Sequence, residues 1–174
     1  GCGLTGGHVD IGIVPQYVLV RCTACSLEFS APMINPGGNW YNKAYLIRHS
    51  AIDSRIRDYY RWAVSVLPQR GRLLDVGCGE GVFVAYARNN GFDAYGADFS
   101  QEAIKLGKQW YGLETIFNCS LQDLRSRYHL SEFDIITFFE VLEHLENPSE
   151  FLKEIKSFLR PGGCLVASVP FRDR

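Results

Sequence analysis

Short apolar runs alternate with longer amphipathic segments from residue 71 to the end of the chain. Runs that are apolar throughout are typical of strands covered on both faces, whereas apolar residues at every third or fourth position are typical of helices. This alternation predicts an α/β fold with a doubly wound, mostly parallel sheet. The strands are predicted at 73–76, 94–97, 115–117, 133–139 and 164–169, and the helices at 81–89, 101–110 and 148–159.

The last of these helices has the clearest signals at its ends. Asn147 is a favourable cap, Pro148 suits the first helical position, and Glu150 lies three residues after the cap. Arg160 is expected in the last turn, and the following 161–163 segment, Pro-Gly-Gly, is expected to end the helix.

The pattern changes before the turn-rich segment Pro-Gly-Gly at 36–38. Two short strands, 17–21 and 27–30, flank the sequence Cys-Thr-Ala-Cys, which predicts a hairpin with two cysteines at its turn. Between 40 and 67, apolar residues at helical spacing predict one or two helices that lead into the sheet, with a stripe formed by Ile52, Ile56, Tyr59, Tyr60 and Ala63. We therefore divide the chain into an incomplete cysteine-rich hairpin at 1–36, leading helices at 37–70 and an α/β core at 71–174.

Composition and charge narrow the classes of function. Of the 174 residues, 47% are hydrophobic, which is enough for a packed core. The 18 basic and 19 acidic residues nearly balance, so no overall charge draws the chain to nucleic acid or to anionic membranes, and a small-molecule partner is the better expectation. No apolar run reaches the roughly 18 residues that a membrane span needs. Six cysteines without disulfide-scaffold spacing favour a reducing, cytoplasmic location.

The first two core strands end in residues suited to a nucleoside. Strand 73–76 runs into Gly77, Cys78 and Gly79, a glycine-rich turn that lets a ligand approach the backbone closely. The next strand ends in Asp98, about 20 residues further on, where a carboxylate can accept hydrogen bonds from both ribose hydroxyls. Asp98 could instead only cap the next helix, but Ser100 is better placed for that purpose.

A dinucleotide is the alternative ligand, because its fingerprint uses the same turn and the same acidic residue. That fingerprint requires a third small residue where this chain has Val82, whereas the third glycine, Gly81, comes one residue early. Asp75 and Glu80 flank the turn, which disfavours a pyrophosphate and favours a ligand that carries an ammonium and a sulfonium. A nicotinamide-dependent oxidoreductase remains an alternative.

Four segments, LLDVGCGEG, YGADFS, FDIITFFEVLEHLENP and FLKEIKSFLRPGGCLVASVP, follow one another in this order. They resemble the successive motifs of class I S-adenosylmethionine-dependent methyltransferases over residues 71–170. The resemblance implies a Rossmann-like core in which two further strands, missing here, would follow the fifth. It also implies S-adenosylmethionine as the cofactor, S-adenosylhomocysteine as the product, and a small-molecule or sugar-containing methyl acceptor.

The resemblance further implies a role for individual residues. Asp75 would support the turn, and the following Gly77, Cys78 and Gly79 would line the methionine and ribose. Asp98 would bind the ribose hydroxyls. The residues near the adenine would be Phe99, Ser120 and Leu121, with Asp123 an alternative to Ser120, and those at the edge of the methyl-donor cavity would be Phe139 and Glu140.

The chemistry requires few catalytic side chains. Methyl transfer from a sulfonium is an in-line displacement, so positioning and exclusion of water supply much of the acceleration. A base is needed only where the acceptor must lose a proton, and His144, with Glu140 one helical turn away, is the candidate. A structural role for both residues stays open, because related proteins with different substrates share the EVLEHL segment. Three residues of the leading helices are further candidates for covering the site: Tyr41, Tyr45 and His49.

The cysteine hairpin resembles the zinc ribbon that precedes some methyltransferases of this type. Cys22 and Cys25 match its second cysteine pair, and Cys2 matches the end of its first pair. The resemblance implies structural zinc held by these three thiolates and a fourth ligand. A zinc-ribbon protein that binds a nucleoside without turnover is therefore a third hypothesis.

Overall fold

A computed structural model describes residues 8–14, 17–32, 57–67 and 70–170 of the chain. The N-terminal part forms a small antiparallel sheet in the order β1-β2-β3. Its strands are β1 (His8–Val14), β2 (Tyr17–Cys22) and β3 (Glu28–Ala31). The β2–β3 pair confirms the predicted hairpin, whereas β1 was not predicted.

The main sheet has five described strands in the order β6-β5-β4-β7-β8, and all of their pairings are parallel. They are β4 (Arg72–Val76), β5 (Asp93–Asp98), β6 (Ile116–Asn118), β7 (Phe133–Phe139) and β8 (Leu159–Ser168). The predicted doubly wound α/β fold is confirmed. Chain order reverses between β4 and β7, so a crevice opens at the carboxyl ends of β4, β5 and β7.

The helices cover both faces of this sheet. They are α1 (Asp58–Val66), α2 (Val82–Asn89), α3 (Gln101–Tyr111), α4 (Leu121–Ser126) and α5 (Pro148–Phe158), with a 3₁₀ helix at Leu142–His144. One buried cluster contains residues of α1, α2 and α3, and a second contains residues of α4 and α5. Of the stripe predicted for the leading helices, Tyr59, Tyr60 and Ala63 lie in α1, and Ala63 is fully buried. Ile52 and Ile56 lie outside the described residues.

The boundary between α5 and β8 differs from the prediction. Asn147 caps α5 as expected, accepting a hydrogen bond from the backbone N–H of Glu150 at 3.3 Å. The helix ends at Phe158, and the strand starts directly at Leu159. Leu159 pairs with Phe133, but the next pair is Ile135 with Cys164, so residues 160–163 form an extra loop within the strand. The helix thus ends one residue before the predicted 159, whereas the strand starts five residues before the predicted 164, so the Pro-Gly-Gly segment lies within β8.

Arg160, expected in the last turn of that helix, lies in this extra loop instead. Its guanidinium contacts the Asp134 carboxylate at 2.8 Å. Asp134 also accepts a hydrogen bond from the backbone N–H of Arg72 at 2.8 Å. One carboxylate thus joins β4, β7 and β8 near their amino ends.

Among the described helices, none combines the length and the apolar character needed to cross a bilayer.

Candidate active site

The glycine-rich turn after β4 adopts left-handed backbone conformations. Gly77, Gly79 and Gly81 have φ angles of 74°, 55° and 76°, which side chains with a Cβ rarely tolerate. The N–H groups of Gly77 and Cys78 donate to the Ala97 carbonyl at 2.8 and 3.1 Å. These bonds fasten the turn to the end of β5 and bring it beside Asp98.

Asp98 is fixed by two backbone hydrogen bonds. Its Oδ2 accepts from Gly79 N at 2.8 Å, and its Oδ1 accepts from Ser100 N at 2.7 Å. Each oxygen keeps a further lone pair for a ligand hydroxyl. Burial raises the pKa of Asp98, and the bonds from Ser100 and Gly79 oppose this rise. Ser100 itself caps α3 by accepting from Ala103 N at 3.1 Å, as the sequence analysis expected. The role of Asp98 toward a ribose stays a prediction.

Phe99 lies next to this carboxylate and is 71% exposed. A large apolar side chain that is exposed in the free protein often marks a ligand-binding surface. The planar phenyl ring is suited to stacking on a nucleobase. The structure therefore puts Phe99 where the sequence analysis expected an adenine contact, although the contact itself stays a prediction.

Ser120 and Leu121 are occupied by the protein itself. The Ser120 hydroxyl accepts from the N–H of Asp123 at 3.1 Å and donates to Asp123 Oδ2 at 3.0 Å, forming a capping box at the start of α4. The Leu121 side chain is buried in the core. Because both side chains are engaged within the protein, the predicted adenine contact would have to be made by the backbone of these two residues.

Two glycines of the turn are required by protein packing. A Cβ on Gly77 would lie 2.6 Å from Val141 Cγ2, and a Cβ on Gly81 would lie 2.6 Å from Leu113 Cδ1. The sequence analysis attributed the small residues to close approach by a ligand. At Gly77 this room is taken by Val141, which follows β7, so only the backbone of Gly77 is open to a ligand.

Cys78 points into the core. The residue is 9% exposed, and its Sγ would lie 2.7 Å from a Cβ on Gly96. Burial first, then the charges of Asp98 and Asp75, raise the pKa of the thiol well above its ordinary value. Cys78 can therefore line the cofactor through its backbone only, and its thiol stays protonated.

Asp75 is buried beneath the turn, with 2% exposure. Its Oδ1 accepts a hydrogen bond from Thr137 Oγ1 at 2.7 Å, which links the ends of β4 and β7. Burial raises the pKa of Asp75 to about 8, and the Asp98 charge adds to the rise. Thr137 was missed by the sequence analysis, although a buried polar residue within an apolar strand was a readable signal.

Glu140 follows β7 in a left-handed conformation, with φ of 55°. Its Oε1 accepts from Ser168 Oγ at 2.7 Å, and its N–H donates to the Ser168 carbonyl at 3.1 Å. These bonds fix Glu140 to the end of β8. Phe139, just before it, is 8% exposed and packs at the same edge.

His144 ends the 3₁₀ helix and is half-buried. Its Nε2 lies 3.8 Å from Oε1 of Glu143, so the neighbouring carboxylate is Glu143 rather than the predicted Glu140. Burial lowers the pKa of His144, while the Glu140 charge opposes this; the imidazole is therefore neutral at pH 7 and able to accept a proton. The other oxygen of Glu143, Oε2, is enclosed and has no hydrogen-bond partner within the described part of the chain.

Two tyrosines of α1 complete this edge of the crevice. The centroid of the Tyr59 ring lies 5.3 Å from the centroid of the Phe139 ring. The centroid of the Tyr60 ring lies 5.0 Å from the ring centroids of both Phe139 and Phe83. The sequence analysis assigned both tyrosines to an apolar stripe. The expected covering residues Tyr41, Tyr45 and His49 lie outside the described residues.

The predicted zinc ligands do not form a metal site in the described structure. Cys22 is 1% exposed, Cys25 is disulfide-bonded, and Cys2 lies outside the described residues. Over 8–14, 17–32, 57–67 and 70–170, no three potential ligands cluster around a common point. A disulfide sulfur is not a thiolate, so this arrangement does not fit zinc.

Fold and site together define a Rossmann-like domain with a crevice at the switch point of its sheet. The family model described as "Methyltransferase domain" matches residues 48–174, and the chain belongs to that family.

Two curated relatives are ubiquinone biosynthesis O-methyltransferases. The chain is 33% identical over 101 residues to the mitochondrial ubiquinone biosynthesis O-methyltransferase of Schizosaccharomyces pombe, covering 56% of this chain and 37% of the relative. It is 30% identical over 106 residues to the ubiquinone biosynthesis O-methyltransferase of Aeromonas salmonicida, covering 59% of this chain and 44% of the relative. The chain thus spans less than half the length of either relative.

Solved structures share the fold. The PH0226 protein from Pyrococcus horikoshii OT3 superposes with a TM-score of 0.60 at 22% identity, covering 72% of this chain and 64% of its own. An S-adenosylmethionine-dependent methyltransferase from Bacteroides fragilis, in complex with S-adenosyl-L-homocysteine, superposes with a TM-score of 0.53 at 21% identity, covering 77% and 64%. Both likenesses concern the architecture alone.

Proposed function

We propose that this protein is an S-adenosylmethionine-dependent methyltransferase that acts on a small-molecule acceptor. The observation that carries the proposal is the anchored Asp98 carboxylate beside the left-handed glycine turn. Membership of the methyltransferase-domain family supports it. The names of the curated relatives support an oxygen atom as the acceptor.

The described residues suit this cofactor better than a dinucleotide. S-adenosylmethionine supplies a methyl group activated by the sulfonium. Asp98 can hold the ribose hydroxyls, and Phe99 can cover the base. Asp98 places an acidic group directly beside the turn, which opposes a pyrophosphate and favours a cationic ligand.

For an acceptor that must lose a proton, we propose His144 as the base. Its lowered pKa leaves the imidazole neutral and its half-buried position borders the Glu140 edge of the crevice. Glu140, fixed by Ser168, would orient the acceptor rather than exchange protons. The predicted cytoplasmic location stays a prediction.

Calorimetric titration tests the proposal directly. S-adenosylhomocysteine should bind, and NAD should bind far more weakly or not at all. Asp98→Ala should weaken S-adenosylhomocysteine binding by about 2 kcal/mol, because a charged acceptor for two hydroxyls is lost. Preference for NAD would indicate an oxidoreductase. Cofactor binding without methyl transfer to any acceptor of a small-molecule hydroxyl panel would indicate a nucleoside-binding protein without turnover.

Zinc is proposed only for the reduced protein. Cys22 and Cys25 lie on one hairpin turn, closed by hydrogen bonds from Ser26 N to Cys22 O and from Cys22 N to Leu27 O, both 2.9 Å. This is the spacing of a zinc-binding cysteine pair. Metal analysis after purification with a reductant should find zinc, and the double variant Cys22→Ser, Cys25→Ser should lack it. Equal zinc in both proteins, or none in the reduced parent, would refute the proposal.

A further inference from the structure

Val141 covers one side of the glycine-rich turn. The three atoms nearest to a Cβ placed on Gly77 all belong to Val141: Cγ2 lies at 2.6 Å, and Cβ and Cγ1 lie at 3.8 Å. The Val141 side chain therefore rests directly against the backbone of Gly77. The two residues come from different strand ends, since Gly77 follows β4 and Val141 comes just after β7.

The same valine precedes the 3₁₀ helix that carries His144. The N–H of His144 donates to the Val141 carbonyl at 3.0 Å, and the N–H of Leu145 donates to the Leu142 carbonyl at 3.3 Å. Such a short helix has few internal hydrogen bonds, so its stability depends mainly on the contacts that its ends make with the rest of the protein.

Two contacts hold the start of this segment. Before Val141, both the side chain and the backbone of Glu140 are hydrogen-bonded to Ser168 at the end of β8. Val141 itself packs on Gly77 in the turn beside Asp98. The first contact joins two strand ends, whereas the second is made with the turn that the proposed cofactor would occupy. The second contact is thus the one that a ligand at the turn affects directly.

A ligand restricts the turn because the turn consists of glycine backbone. Gly77 and Gly79 have positive φ angles, and glycine has more conformational freedom than any other residue. A ribose on Asp98 adds contacts to the carboxylate that already accepts from Gly79 N. Ordering the turn fixes the surface on which Val141 packs, so the 3₁₀ helix that follows Val141 opens less often.

We infer that Val141 is a positioning residue that couples cofactor binding to the ordering of the segment with His144, the proposed base. The inference rests on the proposed function, since it requires an S-adenosylmethionine-type ligand at the turn. The coupling arranges the imidazole for proton transfer in the protein that already holds the methyl donor. An acceptor then loses its proton where a methyl group is available to replace it.

Amide hydrogen exchange with S-adenosylhomocysteine as the probe tests the coupling. The amides of His144 and Leu145 are the readout, because their hydrogen bonds close the 3₁₀ helix. In the parent, saturating S-adenosylhomocysteine should slow their exchange by about tenfold, a usual size for coupling between two sites. In Val141→Ala the slowing should be less than about threefold, because the shortened side chain no longer reaches Gly77.

Two further variants complete the experiment. Val166→Ala removes the same two methyl groups from a buried valine that is not among the nearest neighbours of Gly77, so it is the matched control. Its slowing should stay within about twofold of the parent value. Val141→Thr keeps a branched side chain of similar size and should behave as the parent does. Calorimetry confirms that each protein is saturated, so a weaker affinity cannot imitate a loss of coupling.

Each outcome decides the inference. Binding of S-adenosylhomocysteine to the parent without slower exchange would show that the turn and the His144 segment are independent. Equal slowing in Val141→Ala and the parent would show that Val141 does not connect them. A loss in Val166→Ala or in Val141→Thr as large as in Val141→Ala would show that the contact with Gly77 is not the cause. Each of these results would overturn the inference and leave the proposed function intact, whereas a parent that bound no S-adenosylhomocysteine would refute both.

Discussion

At the scale of single residues, Asp75 links protein stability to pH. Its pKa rises from the ordinary 3.8 to about 8 because the carboxyl is buried. A carboxyl with a raised folded-state pKa contributes stability that is fully present below its unfolded pKa and is lost as pH rises through the folded value. We therefore expect the unfolding free energy to fall between these two pKa values, by at most about 1.4 kcal/mol per pH unit from this group.

The matched variant is Asp75→Asn, which cannot ionise and can still accept from Thr137 Oγ1. Urea unfolding at several pH values between about 5 and 8 should show a flatter profile for the variant than for the parent. Asp98, whose pKa is also raised, titrates in both proteins, so the difference between the profiles reports Asp75 together with its interaction with Asp98. Parallel profiles would mean that Asp75 is ionised throughout this range.

Cys78 provides a second prediction at this scale. Because its side chain lies against Gly96 and away from the crevice, Cys78→Ala should leave S-adenosylhomocysteine affinity within about threefold, a change below 0.7 kcal/mol or so. Cys78→Leu should lower the unfolding free energy by about 1–3 kcal/mol, since overpacking forces β5 or α2 to shift. A stable Leu variant with selectively lost cofactor affinity would show that the side chain faces the ligand after all.

At the scale of elements, α4 was absent from the sequence prediction, and Ser120 caps its start. The hydroxyl serves both as acceptor and as donor in the capping box. Ser120→Ala should therefore lower the unfolding free energy by about 1 kcal/mol, with S-adenosylhomocysteine affinity changed by less than about threefold. Denaturant unfolding and calorimetry measure the two effects. A large loss of affinity without a loss of stability would instead support the hydroxyl as an adenine ligand.

The bounds of an element were predicted correctly where several local sequence signals agree. Strand β7 has the predicted bounds because every position from Phe133 to Phe139 except Asp134 and Thr137 is apolar. Helix α5 starts where Asn147 and Pro148 indicated. Its end lies within one residue of the prediction. The start of β8 was misplaced, because Pro-Gly-Gly usually separates two elements, whereas here pairing of Leu159 with Phe133 extends the strand across that segment. Such long-range pairing leaves no local trace in the sequence.

At the scale of the whole molecule, ligand binding should stabilise the fold. S-adenosylhomocysteine at about 100 times its dissociation constant adds about 2.7 kcal/mol of unfolding free energy, which for a chain of this size raises Tm by about 5–10 °C. Thermal melting with NAD at the same concentration is the control for unspecific effects. Asp98→Ala should lose most of the shift, and an unchanged shift in that variant would place the ribose elsewhere.

The sequence by itself was sufficient to predict the α/β architecture and the edge of the sheet at which the candidate site lies. The alternation of apolar runs and amphipathic segments is a local signal, so it predicted five strands, their parallel arrangement and the edge at which Gly77, Gly79 and Asp98 meet. The location of the site could be predicted because the glycines and the aspartate directly follow predicted strands. The carboxyl ends of parallel strands lie at one edge of the sheet, so these residues must lie close together.

Only the tertiary structure decided which side chains face the crevice. Cys78 turns into the core, Val141 takes the space beside Gly77, and Thr137 joins Asp75 from a strand that is distant in sequence. The tyrosine rings of α1 border the site because the helix packs on Phe139. These contacts arise between elements far apart in the chain, and the direction of a side chain depends on the packing of its neighbours, which periodicity along the sequence does not encode.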